Sequence, residues 1–329
     1  MLLNSLSLSY KGNNSAFFLL QPINLTVPGS QSRGAAMTDP KGIARRSILA
    51  SAATGALLAA AGGSLAQPQS TARSRNNLPL SGNTILITGG GTGIGRGLAE
   101  SFHRLGNKVI IASRRTALLQ EVAALYPGME AMTLDVRDPE MVRRFAQDIT
   151  NRHPALNVVF NNAGIMRRED VLAQQPDLRD SRDHVETNLN GPIRLTAALL
   201  PHFRTRPRAR IVNISSGLAF TPLSIYPTYC ATKAGVHAYS LALRRALRNT
   251  PIEVIEIVPP GVRTNLTPGQ AQNRAFLPLD DFINEVMGIF RQQPVPDEVL
   301  VQRVLRQRRA EAEGRFDTTF DQVNSAAGG

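Results

Sequence analysis

Thr84-Ile85-Leu86-Ile87-Thr88-Gly89-Gly90-Gly91-Thr92-Gly93-Ile94-Gly95-Arg96-Gly97-Leu98-Ala99-Glu100-Ser101-Phe102 is the stretch on which the fold turns. Thr84 to Ile87 form a short apolar run that reads as a buried strand, and Ile94, Leu98 and Phe102 recur at helical spacing. Glycines let the backbone between them turn tightly and come close to a pyrophosphate. The following helix N-terminus offers free N–H groups and a partial positive charge. A glycine triplet alone is more often a plain turn. Set between a strand and a helix it favours dinucleotide binding, and Gly89, Gly91, Thr92, Gly93, Ile94 and Gly95 become candidate cofactor residues.

The same alternation runs onward without a linker. Strand-like runs cover Thr84 to Thr88, Lys108 to Ala112, Glu130 to Leu134, Asn157 to Phe160, Arg210 to Ile214 and Glu253 to Val258. Helix-like runs lie between them: Ile94 to Leu105, Thr116 to Leu125, Pro139 to Asn151, Arg182 to Phe203 and Thr228 to Arg248. Parallel strands need crossovers of this length, and right-handed crossovers give a doubly wound α/β sheet, a Rossmann three-layer sandwich in one domain. Six strands are legible, and Leu279 to Arg291 and Asp297 to Glu313 read as two further helices. Gly89, Asn161, Ser216 and Pro259 all fall at carboxyl ends of strands, the edge where open α/β sheets bind ligands.

Ser216 is followed thirteen positions later by Tyr229, and four more bring the chain to Lys233. Residues four apart share a helix face, so a strand ending near Ser216 and a helix carrying the other two can surround one carbonyl-sized point. Tyr226 is the rival phenol, but its fourth neighbour is Cys230, which cannot supply a positive charge.

Together these signals resemble the short-chain dehydrogenase/reductase family. Its Thr-Gly-x-x-x-Gly-x-Gly pattern is matched by Thr88, Gly89, Gly93 and Gly95, and its Asn-Asn-Ala-Gly element by Asn161, Asn162, Ala163 and Gly164. Its active-site asparagine falls on Asn188, and its Ser, Tyr and Lys on Ser216, Tyr229 and Lys233. Pro259, Val262 and Thr264 match its Pro-Gly-x-Val-x-Thr element, with Pro260 where glycine usually sits. Residues from about Leu78 to Asn324 are covered. The segment Arg308 to Asp317 and the Pro-Pro-Gly-Val run look most like the DltE-type oxidoreductases. The family often has a seventh strand after Thr264, which this sequence does not announce.

The resemblance implies hydride exchange between a nicotinamide and a carbonyl or alcohol, with Tyr229 donating or accepting the proton. Ser216 would bond the substrate oxygen, and Asn188 would hold a water leading from Lys233 to solvent. Lys233 would also hold the nicotinamide ribose. A phenol starts near pKa 10, and bringing it to about 7 takes roughly 4 kcal/mol. A nearby ammonium in a partly dry cleft can supply that.

The second strand ends Ser113-Arg114, neutral and cationic where a carboxylate would repel a 2′-phosphate, so NADP is the expected cofactor and NAD the alternative. Asp135 matches the family residue at the adenine amine, with Asn162 and Ala163 at the ribose. Asp135 could equally cap the next helix. The substrate is expected to be apolar, from Met166, Leu218, Phe220, Ile225 and Leu266, and Asn265 to Leu279 sits where the family has a lid. A nucleotide-sensing regulator is the alternative function; it could lose any of the four catalytic residues freely, and none is lost. The resemblance also implies a homodimer or homotetramer.

The chain has 329 residues and a formal net charge of +12. Half of that charge lies before residue 78, and no aromatic residues interleave the basic run Arg204, Arg206, Arg208, Arg210, which argues against nucleic acid. The one cysteine, Cys230, excludes an internal disulfide and a Cys-based zinc site, and no metal is expected. Residues 37–77 read as a twin-arginine-like signal and linker: Arg45-Arg46-Ser47-Ile48-Leu49, then an alanine-rich stretch ending Ser64-Leu65-Ala66-Gln67. Export to the periplasm is expected on this reading, with the cytoplasm as alternative. Residues 1–36 read as a disordered, over-extended start, 78–324 as the catalytic domain and 325–329 as a tail. Gly55, Gly62 and Gly63 argue against a permanent membrane span.

Overall fold

The alternation of apolar runs and amphipathic segments becomes a seven-stranded parallel sheet with helices on both faces. The computed structural model describes residues 78–173 and 178–325, which form a single unit. The signal-like segment and the start read at residues 1–36 lie outside the described residues. Among those described, no helix is long and apolar enough to cross a membrane.

The strands are β1 (Thr84–Thr88), β2 (Lys108–Ser113), β3 (Glu130–Thr133), β4 (Leu156–Asn161), β5 (Ala209–Ile214), β6 (Ile252–Val258) and β7 (Glu298–Leu300). Their order is β3-β2-β1-β4-β5-β6-β7, so the winding reverses between β1 and β4 and opens a crevice there. Helices α1 (Gly93–Arg104), α2 (Thr116–Ala124) and α7 (Leu279–Phe290) pack on one face. There Phe102 meets Phe160 and Phe290 at centroid distances of 5.2 and 5.7 Å. On the other face lie α3 (Pro139–Arg152), α5 (Gly191–Phe203) and α6 (Pro227–Leu247), over Leu86, Ile110, Val159 and Ile211. Every central strand is covered twice, which is why these runs read as continuously apolar rather than alternating.

Two expectations are corrected. Asp297 to Glu313 is not one helix: it holds β7, a 3₁₀ turn at Gln302–Val304 and the short α8 (Leu305–Arg308). Glu298, Val299 and Leu300 pair in parallel with Glu256, Ile257 and Val258, and Val299 and Val301 are fully buried. The run Arg182 to Phe203 begins as α4 (Arg179–His184), passes through a π-helical turn at Val185–Asn190 and continues as α5. The last element among the described residues is α9 (Phe316–Ser325).

Candidate active site

The loop after β1 uses both the backbone freedom and the small size of glycine. Gly89 has φ +69°, and its amide donates to Ala112 O at 2.7 Å. At Gly95 a Cβ would collide with the Gly89 carbonyl and the Asn162 amide. That close approach is internal to the protein. Thr88 locks the loop to the end of β4: its hydroxyl donates to Phe160 O and accepts from the amides of Asn162 and Ala163 at 3.0 and 3.1 Å. Asn162 Nδ2 returns a bond to Thr88 O at 2.8 Å.

The crevice beside this loop is a cleft of about 440 Å³. Gly89, Thr92, Gly93, Ile94, Gly95, Arg114, Asn162, Ala163, Gly164, Ser216, Tyr229, Lys233, Pro259, Val262 and Thr264, all singled out from the sequence, line it. Arg114, Arg115, Arg167 and Lys233 also line it, and no carboxylate does among the described residues. A glycine-walled, cation-lined slot fits a polyanionic dinucleotide.

Five singled-out residues do not reach the wall. Gly91 faces Leu118 and Leu119 of α2. Ser113 Oγ accepts from Arg115 N at 3.2 Å and serves the turn into α2. Asn161, nearly fully buried, donates to Thr196 Oγ1 and Asn213 Oδ1 beneath the sheet. Strand alternation sends its side chain away from Asn162. Asp135 is taken by Arg137, whose guanidinium donates to it at 2.8 Å; burial pushes its carboxyl up, and Arg137 more than offsets that, leaving it low. It does not cap α3, which is the work of Asp138. Asn188 is buried in the π-helical turn, and both N–H groups of its amide are used, on Ile165 O and Thr232 Oγ1. Its Oδ1 accepts from Ile165 N at 2.8 Å, so the side chain braces the loop carrying Gly164.

Sequence reasoning missed Arg115, Ile165, Arg167, Ile214, Ser215, Pro260, Asn265 and Gln270 on the wall. Arg115 had a signal, as the second of a basic pair after β2; it donates to Thr92 Oγ1 at 3.1 Å across the glycine loop. Gln270 was signalled only as part of the segment read as a lid; it donates to Val262 O and Thr264 Oγ1. Of the apolar substrate candidates only Met166 and Leu266 line the cleft. Phe220 packs between the His237 ring and the Arg308 guanidinium.

Ser216 caps the 3₁₀ turn at Gly217–Ala219, accepting from Leu218 N at 3.1 Å, so the turn-capping role and the cleft position coexist. Tyr229 and Lys233 are both buried on the first turns of α6, with Lys233 Nζ 5.6 Å from the phenol ring centroid. Nζ donates to Ile214 O at 2.8 Å. Burial pushes the Tyr229 phenol above its ordinary range, and a hydrogen bond to Ser216 partly pulls it back. Burial pushes the Lys233 amine down to about 8, with the Glu256 carboxylate opposing. The expected depression of the phenol by Lys233 is therefore absent from the cleft on its own. The dry surroundings dominate, and the Lys233 amine is committed to the Ile214 carbonyl.

Residues 83–275 match the family model described as short chain dehydrogenase. An uncharacterized oxidoreductase DltE of Bacillus subtilis is 43% identical over 189 residues, covering 57% of this chain and 75% of that one. A short-chain dehydrogenase from Streptomyces avermitilis superposes with a TM-score of 0.63 at 28% identity, over 74% of this chain and 97% of its own. A 3-ketoacyl-(acyl-carrier-protein) reductase from Brucella melitensis, solved with NADH, does so with a TM-score of 0.60 at 25% identity, over 67% and 96%. Sheet order, glycine loop and sequence likeness agree, and the chain belongs to the short-chain dehydrogenase/reductase family of NAD(P)-dependent oxidoreductases, among its DltE-like members.

Proposed function

We propose that this protein is an NADP(H)-dependent reductase of carbonyl compounds in which Tyr229 is the proton donor. The observation that carries this is the convergence of Ser216, Tyr229 and Lys233 on a cleft that the glycine loop also lines. A bound nicotinamide supplies hydride to the substrate carbon, or takes it in the reverse direction. Gly89, Gly93, Ile94 and Gly95 would hold its pyrophosphate, and Lys233 its ribose. Ser216 accepts from Leu218 N in the turn it caps and hydrogen-bonds the Tyr229 phenol, so the two hydroxyls stand together where the substrate oxygen would be received. Tyr229, held neutral by burial, is ready to give a proton to that oxygen at neutral pH. Lys233, with a pKa of about 8, is mostly cationic there and stabilises the negative charge the phenol acquires as it does so. Met166, Ile165 and Leu266 make the substrate end mainly apolar. Steady-state assays on a panel of aldehydes, ketones and alcohols with NADPH and NADH test the reading; no turnover on any of them would favour the nucleotide-sensing alternative.

The preference for NADP rests on Arg114 and Arg115, two cations at the end of β2 where a 2′-phosphate would lie. Arg114→Ala is expected to weaken NADPH binding at least tenfold and NADH binding less than twofold, read by fluorescence titration. Equal losses for both nucleotides would remove the phosphate argument. For the segment preceding the described residues we propose twin-arginine export. N-terminal sequencing of the mature protein is expected to begin near Gln67, and a chain retaining Arg45 and Arg46 would refute it.

A further inference from the structure

Behind the phenol lies a second buried constellation that the proton transfer does not touch. Glu169 belongs to the loop that leaves β4 through Gly164, and its side chain is 2% exposed. Its carboxylate accepts from Thr228 N at 3.1 Å, from Thr228 Oγ1 at 2.7 Å and from Ser181 Oγ at 2.7 Å. Its own amide donates to Ile225 O at 3.0 Å. His184, fully buried, accepts from Arg167 N through Nε2 at 2.9 Å, which puts the ring proton on Nδ1. That nitrogen stands 3.5 Å from Glu169 Oε1, and the imidazole meets the Tyr229 ring edge-on with centroids 6.4 Å apart. One carboxylate thus fastens the loop after β4, α4 and the first turn of α6.

A buried carboxylate costs free energy unless its oxygens are occupied, and here donors from two helices occupy them. A first helical turn has free N–H groups and frays unless capped. The cap at α6 comes from outside the helix, since Tyr226, which precedes it, offers no side-chain bond. Thr228 directly precedes Tyr229, so slack at Thr228 moves the phenol oxygen. A displacement of about 1 Å in a reacting group can cost a hundredfold in rate.

We propose that Glu169 is a positioning residue for Tyr229, gripping the backbone and hydroxyl of Thr228 so that the phenol oxygen stays beside Ser216. This rests on the reading of Tyr229 as proton donor. The test compares Glu169→Ala, Glu169→Gln, Thr228→Val and Tyr229→Phe in the full chain, with nucleotide-competent sites counted by NADPH titration. Glu169→Ala is expected to lower kcat per competent site at least tenfold while the NADPH Kd stays within twofold. Glu169→Gln, which keeps an accepting oxygen, is expected to recover most of the loss. Amide exchange is expected to speed up at least tenfold in residues 228–232 of Glu169→Ala and to stay unchanged in residues 240–247. An unchanged kcat with unchanged exchange would overturn the proposal, as would a Kd that weakens in step with kcat. If Glu169→Ala does not fold, Thr228→Val decides: a threefold or larger fall in kcat at constant Kd supports positioning, and no change refutes it. Tyr229→Phe separates the two readings. Turnover like wild type sinks the proton-donor assignment, whereas an inactive Tyr229→Phe beside fully active Glu169→Ala and Thr228→Val sinks only the role of Glu169.

Discussion

Replacing Tyr229 by phenylalanine is expected to lower kcat for carbonyl reduction by about a thousandfold, the worth of a well-placed general acid. The nucleotide Kd should stay within twofold, because the substitution removes one oxygen and leaves the ring where it is. That ring is held by packing: it lies edge-on to His184, with Lys233 Nζ 5.6 Å from its centroid. Steady-state kinetics on the most reactive carbonyl of the panel, with NADPH titration as the control, reads the effect. Equal turnover by wild type and variant would transfer the acid role elsewhere. Burial holds the phenol above its usual range, so its own ionisation should not limit reduction near neutral pH. The alkaline decline in kcat should instead fall near pH 8, where Lys233 gives up its proton.

Lys233→Met should be both inactive and more stable. The activity loss is expected at a hundredfold or more, since the cation beside the forming phenolate is gone, and the alkaline limb near pH 8 should vanish with it. Stability moves the other way. Unfolded, this amine holds its proton up to about 10.5, whereas folded it does so only to about 8. Between those values the unfolded state binds more protons, so stability rises with pH across that window, and below about 8 the whole penalty is present. The penalty is on the order of 3 kcal/mol. Methionine removes it but forfeits the bond to Ile214 O, worth roughly 1 kcal/mol. A net gain of about 1–2 kcal/mol should appear at pH 7 as a Tm higher by a few degrees. A lower Tm in calorimetry would show that the buried amine is a stabilising group. The same variant should lose the upward drift of Tm between pH 8 and 10.

How much was legible depended on how local the signal was. The glycine loop could be read because its requirement is short-range: a left-handed turn at Gly89 and a collision at Gly95 involve neighbours along the chain and the adjacent strand end. The pair Tyr229 and Lys233 could be read because one helix carries both. β7 could not, since three residues are too few for a period to show, and what makes them a strand is the neighbouring edge of β6. Asn161 and Asn162 look interchangeable in a sequence. Only the pleat of β4 decided that one enters the cleft and the other pairs with Asn213 and Thr196 under the sheet. Asn213 in turn lies in register with Glu256, and Glu256 with Glu298, so one polar row crosses four strands with no trace in the linear order.

By itself, then, the sequence determined the strand–loop–helix alternation, the family and which residues are candidates to move a proton, because each follows from residue chemistry at fixed spacings along the chain. The tertiary structure alone decided which of those groups share a cleft, how dry that cleft is and what grips the helix carrying the phenol. Burial and long-range contacts such as Glu169 to Thr228 exist only once distant segments have packed, and burial pushes the Tyr229 phenol up and the Lys233 amine down, which their four-residue spacing does not announce.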